Sequence, residues 1–218
     1  MLFKIDSHQT EKERIVGKIR QQNETLILRA AEEEFAEKGF AGASINAIAN
    51  RAGLPKANIH YYFKNKMGLY VAVLSNIIDL WDETLGNISA EDNPAEVLTN
   101  YIHRKITFSQ QYPLASRIFA SEIISGAHNM KAYFSDDYHR WFSGRVAVFQ
   151  QWIDQGKIDA AISPAHLLFM IWSTTQHYAD FAVQIAAALN KASPEADDFK
   201  AAEDTLIHII LKGCGVSR

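Results

Sequence analysis

Apolar residues recur along this chain at spacings of three and four, and single proline or glycine residues separate the runs. This period is typical of amphipathic α-helices, whereas strands would need an alternation of apolar and polar residues that no segment shows convincingly. After residue 64 the pattern predicts helices near 65–86, 93–110, 113–125, 129–155, 164–189 and 196–213. With the shorter helices before residue 64, the prediction is an all-α chain of about nine helices.

The amino-terminal part begins with a polar stretch, residues 1–22, which we expect to form a tail before the first helix. The first helix is predicted over 23–38, and Gly39 supplies its stop. Glu34 falls on the apolar stripe of this helix, which consists of Ile27, Ala30, Ala31 and Phe35. The tail contains four basic residues, Lys12, Arg14, Lys18 and Arg20. With these it can follow the DNA backbone as a flexible arm; the alternative is a solvated tail without a function in binding.

Residues 44–66 carry the clearest local pattern of the chain. Ser44 can cap a short helix, and Gly53 can adopt the left-handed conformation that ends it. Leu54 then fills the turn, and Pro55 suits the first turn of a second short helix, which we place from Pro55 to Tyr62. Two short helices joined by a tight glycine turn are typical of a DNA-binding helix-turn-helix.

The second of these helices carries polar side chains that can read DNA. Asn58 can pair with an adenine edge, and Lys56 can reach guanine or phosphate. Phosphate contacts are predicted for Ser44, Tyr61 and Lys66, and base contacts for Lys56, Asn58, His60 and Tyr61. The alternative is a solvated helix that binds nothing.

The same stretch resembles the TetR family of bacterial transcription regulators. The matching positions are Gly53, Leu54, Ile59, Tyr62, Phe63, Asn65 and Lys66. Pro55 replaces the usual serine, and His60 stands where tyrosine is commoner. The resemblance implies a homodimeric transcription repressor that binds palindromic duplex DNA. It also implies a DNA-binding domain at 23–66 and a ligand-binding and dimerisation domain at 67–218. We expect the dimer to form through the last two long helices, with apolar content such as Leu206, Ile207, Ile210 and Leu211.

The charge distribution agrees with this division. The 218-residue chain has a net charge of −3 and is 48% hydrophobic, enough for a sizeable core. Residues 1–66 hold 11 Lys and Arg against 8 Asp and Glu, whereas residues 67–218 hold 11 against 17. The amino-terminal part is therefore the better match for phosphate. No apolar run has transmembrane length and no signal segment is evident, so we expect a cytoplasmic protein without a membrane partner.

The sequence lacks the usual marks of an enzyme. It has no phosphate-binding glycine loop and no Gly-x-Ser-x-Gly turn. Its eight histidines do not pair at helical spacing and its single cysteine, Cys214, cannot build a thiolate site, so no metal or other cofactor is expected. Cys214 is a passive thiol or, alternatively, a redox sensor.

A ligand site is predicted around residues 172–181. On a helix, Trp172, Gln176 and Asp180 share one face at spacings of four, which combines an aromatic plane with an amide and a carboxylate. Such a stripe suits a flat polar ligand. The alternative is that Trp172 is packed core and Gln176 is a partner for a helix end.

The carboxy-terminal part also resembles one member of the family, a regulator of pyrimidine utilisation. The resemblance lies in Tyr112–Arg117, Gln151–Lys157 and above all Phe169–Phe181, although Ser121 replaces a bulkier apolar residue. It implies uracil or thymine as the effector. The positions that match its ligand-binding region are Trp81, Glu122, Trp172, Gln176, Tyr178 and Asp180. A sensor of lipophilic drugs or acyl chains is the rival within the family, and a helical enzyme or carrier that does not bind DNA is the rival outside it.

Overall fold

The computed structural model describes residues 11–216, except for the side chains of residues 11–13 and 80–84. The regular elements of this part of the chain are helices, which confirms the all-α prediction, with ten helices rather than about nine. The chain divides into two compact units between Val73 and Leu74. This division lies a little after the predicted boundary at 66/67.

The first helix, α1 (Glu11–Gly42), begins well before the predicted start at Asn23. The expected tail is therefore helical over 11–22, because Glu, Lys, Arg, Gln and Ile favour a helix and no proline interrupts them. Gly39 leaves helical geometry, with φ 65° and ψ 174°, so the regular helix ends where the sequence predicted. The buried face of α1 includes Ile27, Ala30, Ala31 and Phe35.

The next two helices, α2 (Ile45–Ala52) and α3 (Lys56–Phe63), form the predicted helix-turn-helix. The backbone N–H of Ala47 donates to Ser44 Oγ at 3.1 Å, which confirms Ser44 as the cap. Gly53 has φ 66° and ψ 27°, which confirms it as the left-handed stop. The two helices pack through Ile48 and Ile59, which are both fully buried.

The helix α4 (Lys66–Leu85) begins in the core of the first unit. The backbone N–H of Gly68 donates to Asn65 Oδ1 at 2.9 Å, which caps its first turn. A Cβ atom on Gly68 would lie 2.3 Å from the carbonyl oxygen of Phe63, so only glycine fits there. The Tyr70 ring packs on Phe35, with ring centroids 4.8 Å apart.

The second unit contains α5 (Pro94–Gln111), α6 (Pro113–Ile124), α7 (Asp136–Asp154), α8 (Pro164–Asp180), α9 (Ala182–Ala188) and α10 (Ala196–Gly213). Two predictions were wrong here. The helix predicted to start at 129 starts at Asp136, because 126–135 form turns that begin with positive φ at Gly126 and Ala127. The helix predicted over 164–189 is interrupted at Phe181, with φ −114° and ψ 28°, which gives α8 and α9.

The core of the second unit is built around Phe149 and Trp152, which are fully buried. Trp152 Nε1 donates to the carbonyl of Ser89 at 3.1 Å. Cys214 is buried as well, and burial together with the Asp159 charge raises the pKa of its thiol to about 11, as expected for a passive thiol. Within the described residues, no helix has the length and apolar content to cross a membrane.

Candidate nucleic-acid interface and effector cavity

The outer face of α3 carries the side chains predicted to contact DNA. Lys56, His60 and Tyr61 are exposed, and Tyr61 has 72% of its surface accessible. Asn58 is half-buried at the edge of this face. Ile59 faces the core, so the burial pattern separates a packing face from a polar face.

His60 also shapes the end of α3, which the sequence did not predict. Its Nδ1 atom lies 2.9 Å from the carbonyl oxygen of Lys64, and Lys64 has the unusual φ of 63°. A carbonyl only accepts, so Nδ1 must carry the hydrogen in this bond. In the neutral ring Nε2 is then the acceptor, and it can accept a hydrogen bond from a base amino group.

Two of the three residues predicted to bind phosphate, Ser44 and Lys66, lie in different settings. Ser44 is exposed, and its hydroxyl accepts from Ala47, which leaves the hydroxyl hydrogen to donate. Lys66 Nζ instead donates to the carbonyls of Phe40, Ala41 and Ala43 at 2.8, 3.4 and 3.0 Å. Because an ammonium has three donors, Lys66 ties α4 to the end of α1, and a phosphate would have to displace one of these bonds.

A cluster of opposite charges fixes α2 against α1. The Arg51 guanidinium donates to Glu33, Glu34 and Glu37 at 3.1–3.3 Å. The Arg51 hydrogen bond and charge lower the pKa of Glu37. Glu34, the charged residue on the apolar stripe, is buried and also accepts from the backbone N–H of Ser44. The Glu34 carboxylate therefore has one partner before the start of α2, Ser44, and one in its last turn, Arg51.

The basic residues predicted as a flexible arm lie on a helix. Arg14, Lys18 and Arg20 are exposed on the first turns of α1, and the side chain of Lys12 is outside the described residues. The same turns expose the apolar residues Ile15, Val16 and Ile19. The arm prediction is therefore corrected to a helical extension of α1.

The second unit contains a cavity of about 270 Å³ between α5, α6, α7 and α8. Trp172 and Gln176, the residues first predicted to bind a ligand, both line it. The other lining residues are mostly aromatic or apolar: Tyr101, Phe119, Ile123, Tyr133, Phe134, Tyr138 and Trp141, with Lys105 as the exception. A small space with aromatic walls and a few polar groups is typical of a ligand site.

Lys105 is the charged lining residue, and the sequence analysis did not predict it. It is buried, and desolvation lowers the pKa of its ammonium to about 7, while the Asp180 charge acts in the opposite direction. The signal was present in the sequence, because Leu98, Ile102, Lys105 and Ser109 follow one face of α5 at helical spacing. A lysine on a buried stripe points to a function.

Asp180 lies near Lys105 but does not line the cavity. Its carboxylate accepts a hydrogen bond from the Ser116 hydroxyl, which joins α8 to α6. Burial raises the pKa of Asp180, against the lowering effects of the Ser116 bond and the Lys105 charge. Asp180 is thus a half-buried, charged neighbour of Lys105.

Glu122 and Tyr178 also lie outside the cavity wall. The Glu122 carboxylate accepts from the backbone and side-chain N–H groups of Asn129 at 2.7 and 3.1 Å, and so holds the 126–135 segment. Tyr178 packs on Phe199 of α10, with ring centroids 5.8 Å apart. Trp81, another position that matches the ligand-binding region of the pyrimidine regulator, lies on α4 with its side chain outside the described residues.

The faces of α8 and α10 differ from the predicted dimer surface. Ile207, Ile210 and Leu211 are buried in the unit's own core, so they cannot form that surface. A groove between the two helices is lined mostly by small side chains, together with the larger His177, Tyr178 and Leu206. The small residues are Ser173, Thr174, Ala201, Ala202 and Thr205. Met170 and Ile209 are exposed on the same helices.

Both units match known family models. Residues 27–73 match the model of bacterial regulatory proteins of the tetR family, and residues 74–217 match that of the YcdC-like protein, C-terminal region. The chain belongs to the TetR family. TetR regulators bind DNA and act as dimers, and the relatives are named as transcription regulators, so this TetR-family chain is a regulator and not an enzyme.

Individual relatives support the same family. The HTH-type transcriptional regulator RutR of Escherichia coli K12 is 37% identical over 187 residues, which cover 86% of this chain and 88% of RutR. The repressor SCO4008 of Streptomyces coelicolor is 29% identical over 147 residues, or 66% of this chain and 72% of that protein. A TetR-like regulator from Rhodococcus sp. RHA1 shares the fold, with a TM-score of 0.62, 18% identity, and coverage of 89% of this chain and 97% of its own.

Proposed function

We propose that this TetR-family protein is a repressor whose operator binding is modulated by a pyrimidine base such as uracil or thymine. The observation that carries the proposal is the cavity, which is lined by Trp172, Gln176 and the buried Lys105 together with several aromatic side chains. A pyrimidine base has two flat faces for stacking and a polar edge for hydrogen bonds. The resemblance to a regulator of pyrimidine utilisation supports the same effector.

The cavity favours a pyrimidine over a lipophilic effector. Its volume of about 270 Å³ lies below the ~300–1,000 Å³ typical of sites for drug-sized ligands, so a single ring fits better than a long acyl chain. An apolar ligand would also leave the Gln176 amide, which lines the cavity, without a hydrogen-bond partner on the ligand. The proposed signal path runs along α4, which carries Trp81 and passes from the first unit into the second.

The DNA contacts are proposed for the outer face of α3. Asn58→Ala is expected to relax base preference at one position in each half-site, at a loss of roughly 1–3 kcal/mol, because a bidentate base contact is removed. Lys56→Ala removes a positive charge, so it should weaken binding to selected and random sequences alike and flatten the salt dependence. Binding of selected and random duplexes at several salt concentrations distinguishes the two effects. Unchanged binding by both variants would remove α3 as the reading helix.

The dimer is proposed to form through the groove side of α8 and α10. Ala201→Arg places a long charged side chain where small residues allow close approach, so we expect the dimer to dissociate at micromolar concentration. Gln150→Arg, at an exposed position of α7, is the matched control and should stay dimeric. Light scattering measures both masses. An Ala201→Arg protein that remains a dimer would place the interface elsewhere.

The effector contact is tested most directly at Gln176. Gln176→Leu keeps the approximate size of the side chain but removes the amide, so the base loses its hydrogen-bond partner and about 1–3 kcal/mol of affinity. DNA binding without ligand should stay normal. Calorimetry with uracil and thymine, followed by a DNA-binding assay with and without the base, measures both properties. No heat with either base at millimolar concentration in the unaltered protein would reject the pyrimidine effector but leave the regulator class intact.

A further inference from the structure

The ring of His60 is held at the end of α3 by a reciprocal pair of hydrogen bonds. The backbone N–H of Lys64 donates to the carbonyl oxygen of His60 at 3.1 Å, and the carbonyl oxygen of Lys64 lies 2.9 Å from His60 Nδ1. Lys64 has φ 63° and ψ −55°, a non-helical geometry that brings its carbonyl to the ring. Because the ring is bonded to the helix end through Nδ1, its orientation is defined.

The same bond decides which nitrogen of the ring carries the hydrogen. A carbonyl oxygen only accepts, so Nδ1 is protonated, and in the neutral ring Nε2 keeps its lone pair. This lone pair points away from the bonded nitrogen. His60 is exposed, and within the described part of the chain Nε2 forms no hydrogen bond. The ring therefore offers one acceptor, and no second donor, to whatever binds this surface.

His60 lies on the side of α3 that is proposed to face DNA. Lys56 precedes it by one turn and is exposed on the same face, whereas Ile59 is fully buried. The second helix of a helix-turn-helix lies in the major groove, where its side chains meet the edges of the bases. An acceptor that is fixed on this face is thus placed to meet a base edge.

We infer that His60 Nε2 accepts a hydrogen bond from the exocyclic amino group of a base, N6 of adenine or N4 of cytosine. These groups are the hydrogen-bond donors of the major groove. Guanine and thymine carry a carbonyl oxygen at the corresponding place, so two acceptors would face each other and both would stay unpaired. This inference rests on the proposed DNA face of α3 and adds the class of base that one position of each half-site holds.

The fixed tautomer also separates His60 from the residues that contact phosphate. Phosphate oxygens only accept hydrogen bonds, and Nε2 of the neutral ring only accepts as well. Contacts to phosphate come from groups that donate, such as ammonium, hydroxyl and backbone N–H groups. A neutral His60 therefore contributes to the choice of sequence rather than to general affinity for DNA.

The test compares a duplex selected by the unaltered protein with duplexes that lack one amino group. Purine replaces adenine, or 2-pyrimidinone replaces cytosine, at one position at a time and in both half-sites. At one position the unaltered protein should lose at least about tenfold in affinity at pH 8, where free imidazole is neutral. His60→Ala should bind this modified duplex and the selected one within about twofold of each other, because it has no acceptor to lose.

Two further variants make the assignment specific. His139→Ala removes an exposed histidine of α7 in the second unit and should show the same loss as the unaltered protein. His60→Lys replaces the acceptor with a donor, so the preference at this position should change to guanine or thymine. This variant also provides a second measurement if His60→Ala weakens the end of α3.

The outcomes distinguish this inference from the proposal beneath it. At every position the unaltered protein and a folded His60→Ala could lose the same affinity when the amino group is removed. That result, or a His60→Lys protein with unchanged preference, would overturn the role of His60 and leave α3 as the DNA-binding helix. An unaltered protein that selects no sequence from random duplexes would remove the proposed DNA face and this inference together.

Discussion

Lys105→Met is expected to make the unliganded protein more stable near neutral pH and to remove a strong pH dependence of its stability. Burial lowers the pKa of Lys105 from 10.5 to about 7 in the folded chain. Between these values the unfolded chain binds a proton that the folded chain does not, so the free energy of unfolding rises with pH across this window. Below pH 7 both states are protonated, and folding must bury a charge.

The size of this effect follows from the slope of the unfolding free energy against pH. One proton of difference corresponds to about 1.4 kcal/mol per pH unit, so the unaltered protein should gain roughly 2–3 kcal/mol relative to Lys105→Met between pH 7.5 and 9.5. Urea unfolding at several pH values measures the difference. Cys214 also titrates at high pH, but it is common to both proteins and cancels in the comparison.

Lys200→Met is the control for this experiment. Lys200 is exposed, and its hydrogen bond to Asp204 raises its pKa above 10.5. Its contribution to stability is therefore fully present below pH 10.5 and lost only above that value, so this variant should follow the unaltered protein between pH 7.5 and 9.5. Parallel pH profiles for all three proteins would contradict a buried, neutralised Lys105.

Gly68→Ala is expected to destabilise the first unit by about 3 kcal/mol, at the upper end of the usual range for forcing a methyl group into occupied space. The new Cβ atom would lie 2.3 Å from the Phe63 carbonyl oxygen, which is backbone and cannot move aside like a side chain. The clash separates the start of α4 from the end of α3. DNA affinity should fall as well, because α3 loses its support.

Gly144→Ala is expected to have the opposite effect on stability. Gly144 lies inside α7, and a Cβ atom there would meet no heavy atom within 4 Å. Alanine should therefore stabilise the protein by about 0.5–1 kcal/mol through its better helix propensity. Thermal and urea unfolding of both variants gives the comparison. Equal effects of the two substitutions would show that helix propensity, rather than the close approach at Gly68, governs this site.

The sequence predicted best those features that depend on neighbours along the chain. Ser44 and Gly53 act within one turn of their own helices, so residue type alone specified the helix-turn-helix. Composition alone does not locate the start of α1, because a polar run rich in Glu, Lys, Arg and Gln fits a solvated tail as well as a helix. The interruption at Phe181 has no proline or glycine to mark it.

Features that depend on contacts distant in sequence could not be predicted from local pattern. Lys66 looks like a phosphate-binding residue in sequence, but its partners are the carbonyls of 40–43. Glu122 looks like a ligand contact, but it binds Asn129 across a turn whose path was unknown. Gln176 and Trp172 were found because they share a helix face, whereas Lys105 reaches the same cavity from another helix.

The burial of Leu69 and Tyr70 has a consequence for any attempt to isolate the DNA-binding part as a fragment. A fragment that ends at residue 66 would keep the helix-turn-helix but lose Leu69, which is fully buried, and Tyr70, which packs on Phe35 and Phe40. The exposed core would then favour aggregation. A fragment that extends through Val73 retains these contacts, so we expect a stable DNA-binding fragment to need the first two turns of α4 as well as the helix-turn-helix.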